Sequence, residues 1–267
     1  PLLLSSAASD VYKRQAFSLV AKSSFVYYLL FKKKNNFKHY SVYFIILFSV
    51  SASLFFLLTR GAILAFGLLN LFIITYLLLK QKDNKYSFRM IALALTFFIS
   101  YTLVSTIIKN DNKSNLINDR VASISLNSDD QSIGERLRFY NVSLKIISKN
   151  PILGIGLGNW KFESIKYDAY NLTEYTVPYH AHNDYLQIAS EIGLLGLIFY
   201  LTAFILPLIR IIRNFSEFND QFLIICFIGT LGVCIMDSML NFPTARPISH
   251  IYYLFILTGF QNLIKTK

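Results

Sequence analysis

The chain has 267 residues, of which 54% are hydrophobic, 16% aromatic and only 15% charged, and its formal net charge is +11. That composition excludes an ordinary water-soluble domain, in which about a quarter of residues carry charge. It also excludes nucleic-acid binding as the reason for the basicity, because the lysines and arginines sit in short clusters between long uncharged runs instead of forming one basic face.

Residues 1–15 lack an initiator Met and a signal-peptide layout, and are read as a non-native leader outside the fold. The run 16–31 is apolar apart from Lys22 and is a candidate span. Uncharged runs follow at 41–58, 61–79 and 90–108, each close to the roughly 20 residues that cross a hydrocarbon core. As one helix, 41–79 would far exceed a bilayer, so the chain must turn near Thr59-Arg60-Gly61. After residues 109–188 come the uncharged runs 192–209 and 221–236, the latter short and edged by Asp237, then 247–264, which holds His250 and no Lys, Arg, Asp or Glu. These unbroken runs differ from the ten-residue alternating segments of a transmembrane β-barrel. The expected fold is all-α: a polytopic transmembrane helix bundle of six to seven spans with one large external loop. Its expected division is leader 1–15, N-terminal transmembrane helices 16–108, loop 109–188 and C-terminal transmembrane helices 189–267.

Lys32, Lys33, Lys34 and Lys38 share one short loop, Lys80, Lys82, Lys85 and Arg89 the next, Arg210 and Arg213 a third, and Lys265 and Lys267 the tail. Alternate loops are therefore basic, which makes them cytoplasmic by the positive-inside rule. Residues 109–188 balance nine Lys/Arg against nine Asp/Glu. This topology places Arg60, that loop, Asp237 and Arg246 on the outer face. Cys226 and Cys234 lie within one span and read as small hydrophobes.

Within the loop, Ile133, Leu137, Tyr140, Leu144 and Ile147 alternate spacings of four and three, an apolar stripe at helical period. Ser132 and Glu135 form a capping box, and Asn150-Pro151 is a stop, so 132–149 is expected to be an amphipathic helix on the membrane surface or over the bundle. Residues 110–131 read as a flexible connector. Gly154-x-Gly156-x-Gly158 follows a helix with no preceding strand, so it fails as a nucleotide fingerprint. These glycines are expected to turn the chain back toward the membrane, with Trp160 as an interfacial anchor.

The chemistry-bearing residues cluster at the outer ends of the spans. His180-Ala-His182-Asn183-Asp184 packs two imidazoles and a carboxylate into five residues just before a membrane run. Histidine titrates near neutrality and suits general-base work. The alternative is a polar cap that satisfies the free amides of the next helix. A metal site competes weakly, since zinc needs three or four protein ligands and His39 falls on the cytoplasmic side. Arg60 and Arg246 read either as snorkelling anchors or as phosphate ligands. Arg136 and Arg138 read either as phosphate ligands or as a solvated helix face.

Several strings together resemble the O-antigen ligase/polymerase superfamily over roughly 41–264. They are Thr59-Arg60-Gly61-Ala62, Gly134-Glu135-Arg136, Asn150-Pro151-Ile152-Leu153-Gly154-Ile155-Gly156-Leu157-Gly158, His182-Asn183-Asp184-Tyr185-Leu186-Gln187 and Glu191-Ile192-Gly193-Leu194-Leu195-Gly196. The resemblance implies a multi-pass glycosyltransferase of the bacterial inner membrane. Such an enzyme moves a glycan from undecaprenyl pyrophosphate to an acceptor hydroxyl on the periplasmic face. By motif match, Arg60 and Arg136 stand for the family's membrane-edge and loop arginines, and His182 for its essential histidine. Asp237 and Arg246 fall where the family places polar residues in the last external loop. Tyr140 stands where the family usually has another aromatic, and several further N-terminal spans belong to the family pattern.

Those assignments imply an inverting transfer with His182 as general base and Arg60, Arg136 and Arg246 on the diphosphate. Arg138, His180, Asn183, Asp184 and Asp237 would support the site. No cofactor and no metal are expected. The acceptor could be lipid A-core, another lipid-linked repeat (which would make the protein a polymerase) or a protein. A transporter is the reading from a different class, opposed by spans almost free of charge.

Overall fold

A computed structural model describes residues 6–31, 36–57, 59–80, 84–110, 131–171, 178–245 and 253–259. Regular structure among the described residues is entirely helical, the form in which a chain in lipid closes its backbone hydrogen bonds within one segment. The helices are α1 (Ser6–Phe31), α2 (Phe37–Leu57), α3 (Arg60–Lys80), α4 (Asn84–Asn110), α5 (Gln131–Lys149), α6 (Trp160–Asp168), α7 (Asp184–Arg213) and α8 (Gln221–Leu240). A 3₁₀ turn at Pro243–Ala245 follows α8, and residues 253–259 are helical.

Among the described residues, five segments are long and apolar enough to cross a bilayer: Lys38–Leu57, Arg60–Lys80, Arg89–Ile107, Asp184–Arg213 and Gln221–Leu240. The expected runs 41–58, 61–79, 90–108, 192–209 and 221–236 fall on them. Helix α1 takes in the 16–31 run and also residues 6–15, and of the 247–264 run only 253–259 are described. At 1.5 Å per residue, the 21 residues of α3 span about 30 Å, the thickness of the hydrocarbon core.

The described chain forms two compact units, one of residues 1–125 with 219–234, the other of 126–218 with 235–267. In the first, small hydroxyls and amides join the helices. Ser24 Oγ meets Thr230 Oγ1 at 2.7 Å, Tyr27 Oη donates to Asn70 Oδ1 at 2.6 Å, and Ser51 Oγ donates to Ser100 Oγ at 2.8 Å. In lipid, where apolar side chains gain nothing from leaving water, such pairs are a main source of helix–helix specificity. Cys226 and Cys234 are buried thiols with no disulfide between them.

The second unit is built around Trp160. Phe139, Val142 and Ile146 of α5, Trp160 of α6 and Ala181 form its core. The expected α5 helix begins at Gln131, one residue early, and ends at Lys149 ahead of Asn150-Pro151. Its expected stripe is not the packed face, because Leu137 and Leu144 are largely exposed. Helix α5 is apolar on two opposite sides, and the side carrying Phe139, Val142 and Ile146 is the one that meets the large aromatic surface of Trp160. Trp160 is therefore no interfacial anchor: it is fully buried, and its indole Nε1 donates to Ser143 Oγ at 2.9 Å. A buried Trp needs such a partner for its one polar atom.

Helix α7 has 30 residues, about 45 Å if it were straight, but Gly193 breaks it at φ 74°, ψ 175°. The break removes helical partners from the carbonyls of Ser190 and Glu191, and the loop after α5 replaces them. Ile155 N donates to Ser190 O at 3.0 Å and Gly156 N to Glu191 O at 2.8 Å, while Leu194 N donates to Pro151 O at 2.8 Å. The loop lies so close that a Cβ on Gly154 would come within 2.5 Å of the Glu191 backbone, and one on Gly193 would collide with the Ile152 carbonyl. The glycine-rich string thus serves as a backbone clasp on the kink, with Gly154 at φ 66° and Gly156 at φ 94°.

Candidate functional site

The second unit gathers most of the sequence-nominated residues around the segment that leads into α7. Asn183 is extended and caps the helix, its Oδ1 accepting from Leu186 N at 3.1 Å. The capping alternative is thus realised by Asn183, one residue beyond the histidine. His182 itself takes φ 54°, the one non-glycine positive φ among the described residues. Histidine enters this left-handed region more readily than most side chains, at a cost of about 1–2 kcal/mol.

Aromatic rings hold that conformation from both sides. The His182 ring lies nearly parallel to Phe139 at 5.9 Å and edge-on to Phe242 at 4.9 Å, while His180 stacks on Phe242 at 4.2 Å. Tyr140 Oη lies within donating reach of the His182 carbonyl at 3.2 Å and the Met239 carbonyl at 2.9 Å. Burial pushes the Tyr140 phenol above its ordinary pKa, against the opposing pull of the neighbouring Arg136 charge and a hydrogen bond with Asn183. It therefore remains a protonated donor, and Arg136 is placed beside it on the same helix.

Asp184 is buried and doubly bonded: Oδ2 accepts from Thr244 N at 3.0 Å and Oδ1 from Thr244 Oγ1 at 2.6 Å. This ties the start of α7 to the turn at Pro243–Ala245. Asp237, near the end of α8, accepts from Asn241 Nδ2 at 2.7 Å, while its carbonyl accepts from Asn241 N at 2.8 Å. Both carboxylates therefore shape the segment 241–245 that runs toward Arg246. Arg246 and His250 lie outside the described residues.

A second polar chain runs behind the histidines. Glu191, buried at the last turn before the kink, accepts at Oε1 from Trp160 N and from Gln187 Nε2, both at 3.3 Å. Gln187 Oε1 in turn accepts from Ala181 N at 3.2 Å, and its Nε2 lies 3.4 Å from His180 Nδ1. Arg138 is engaged elsewhere: its Nε lies 3.2 Å from Asp168 Oδ2, a buried carboxylate on α6, and its guanidinium sits 5.2 Å over the Phe139 ring. Sequence reasoning left Arg138 open between a phosphate ligand and a solvated face, and the geometry makes it a strut between α5 and α6. Among the described residues, no three His, Cys, Asp or Glu side chains converge as a metal cluster.

The unit thus brings together Arg136, Tyr140, His180, His182, Asn183, Asp184 and Asp237. Arg60 is the first residue of α3 and belongs to the other unit. Sequence reasoning missed the parts played by Phe139, Phe242, Thr244, Gln187 and Glu191. Glu191 carried a signal, a lone carboxylate one residue before an uncharged span, whereas Phe139 and Phe242 are two phenylalanines among 24.

A protein-family model described as O-antigen ligase matches residues 42–201, which take in Arg60, α5 and the His182 segment and stop short of Asp237 and Arg246. No curated protein matches the chain.

Proposed function

The chain belongs to the O-antigen ligase family, and on that premise we propose that it transfers a glycan from undecaprenyl diphosphate to an acceptor hydroxyl at the periplasmic face of the bacterial inner membrane. The family acts on lipid-linked glycans and the chain is a multi-pass membrane protein. The observation that carries the finer reading is the strained, ring-clamped backbone of His182, since strain held in place by its surroundings concentrates at functional sites.

In the proposed reaction, the acceptor oxygen attacks the anomeric carbon as the bond from that carbon to the diphosphate oxygen breaks, inverting the centre. His182 takes the hydroxyl proton, a contribution of about 10²–10⁴-fold in general-base catalysis. Undecaprenyl diphosphate leaves with the bonding pair, and its charge is met by arginine, whose planar guanidinium matches phosphate oxygens in pairs. Arg136 is supported by its place beside Tyr140, whose hydroxyl also meets Asn183. Arg60 and Arg246 are supported by their motif positions alone. With arginines compensating the charge, the transfer needs no metal ion.

The test is transfer of labelled glycan from the undecaprenyl-linked donor to lipid A-core, to a second lipid-linked repeat and to protein, by wild type, His182→Ala and Arg136→Ala. Loss of transfer in both variants supports the assignment, and the accepted substrate separates ligase from polymerase. Wild-type rates in both variants would end it.

A further inference from the structure

The loop from Pro151 to Leu157 has a use beyond clasping the kink. Its sequence, Pro-Ile-Leu-Gly-Ile-Gly-Leu, has no polar side chain, yet Ile152, Leu153 and Leu157 are 67%, 75% and 79% exposed. Three hydrogen bonds, to Ser190, Glu191 and Leu194, fix this loop at the start of the uncharged run 192–209 of α7. Beyond the kink, α7 presents Leu194, Leu195, Ile198 and Phe199, all exposed, in its uncharged run. The loop's apolar surface therefore continues that of a membrane-crossing helix at its membrane edge.

The backbone is equipped for such a place. Non-helical chain tolerates a low-dielectric setting only where its polar groups are satisfied by protein. Here Gly154 N donates to Asn150 O at 3.1 Å, and Ile155 N and Gly156 N donate to the carbonyls that the kink releases. An apolar surface held at this level is stabilised by the acyl chains of bilayer lipid, as interfacial segments are.

We propose that Pro151–Leu157 is a membrane-interface anchor, with Ile152, Leu153 and Leu157 inserted among bilayer acyl chains beside the start of the α7 span. The anchoring that the sequence assigned to Trp160 is thus carried by the aliphatic loop just before it. By holding the kink and the lipid at once, the loop sets the height of the His182 segment, which lies shortly before the break, relative to the bilayer surface.

The test uses the whole chain in phosphatidylcholine vesicles with an environment-sensitive fluorophore on Leu153→Cys, and on Leu157→Cys in case the first variant does not insert. Tyr170→Cys, fully exposed on the 3₁₀ turn after α6, is the aqueous control. The expected result is several-fold stronger quenching of the 153 or 157 probe by lipid spin-labelled near the headgroup than by aqueous iodide, with the reverse at 170. Iodide quenching at 153 and 157 equal to that at 170 would overturn the proposal. Shielding from both quenchers would overturn it too, since the loop would then be covered by protein.

Discussion

A histidine at φ 54° carries strain that its neighbours must hold, and the rings of Phe139 and Phe242 with the Tyr140 hydroxyl supply that hold. His182→Asn separates chemistry from folding, because asparagine also accepts the left-handed region. It is expected to insert and melt like wild type while transfer falls about 10²–10⁴-fold; an equal loss of thermal midpoint would assign His182 a structural role instead. Tyr140→Phe removes only the donor and should lower stability by about 0.5–1.5 kcal/mol, read as a thermal shift in detergent. The sign of its pH dependence follows from the raised folded-state pKa. The stabilisation is fully present below the unfolded value of about 10 and is lost above it, where the unfolded phenol ionises first. The wild-type advantage over Tyr140→Phe should therefore shrink as pH rises beyond about 10. The chemistry of this residue set was legible because histidine, arginine and carboxylate are rare in so apolar a chain. The ring clamp was not, because aromatic side chains are everywhere in it.

At the scale of elements, the decisive feature is the broken α7 and the loop that repairs it. Gly193→Ala and Gly154→Ala each press a methyl group against backbone that cannot yield, and each adds left-handed strain. Both should fall in the severely destabilising tail for point substitutions, beyond about 4 kcal/mol, and reduce the yield of folded protein. Gly158→Ala is the control: at φ 78° with nothing within 4 Å of the added carbon, it should lose only the left-handed term of about 1–2 kcal/mol. Comparable melting of all three in detergent would refute the clasp. Asp184 and Thr244 form a second brace, with two hydrogen bonds to one buried carboxylate. A double-mutant cycle with Asp184→Asn and Thr244→Val should give a coupling of about 1–3 kcal/mol. The helices themselves were readable from hydropathy and length, and the Gly string from its failure to fit a nucleotide fold. The kink was not readable, because a glycine within a membrane run looks like any small packing residue until its backbone partners are known. The two-sided apolarity of α5 likewise hid which face would pack.

For the molecule as a whole, charge distribution is the governing fact. Basic clusters alternate with uncharged spans, and the proposed sidedness of the loops rests on that alternation through the positive-inside rule. The family match runs from the second helix through the first part of α7. What the sequence could not deliver is the helix break in α7 and the backbone bonds made to it by a loop far upstream. If arginines alone meet the donor diphosphate, chelation with EDTA should leave the transfer rate unchanged in purified vesicles, whereas a fall restored by Mg²⁺ would show that a cation shares that charge. The central claim, that His182 drives transfer from a lipid-linked glycan, is tested most directly in cells that make the glycan and lack their own ligase. Surface polysaccharide from wild type and His182→Ala, matched for membrane insertion, is compared on one gel. The account expects glycan joined to lipid A-core with wild type and its loss in the variant; full attachment by His182→Ala would contradict it.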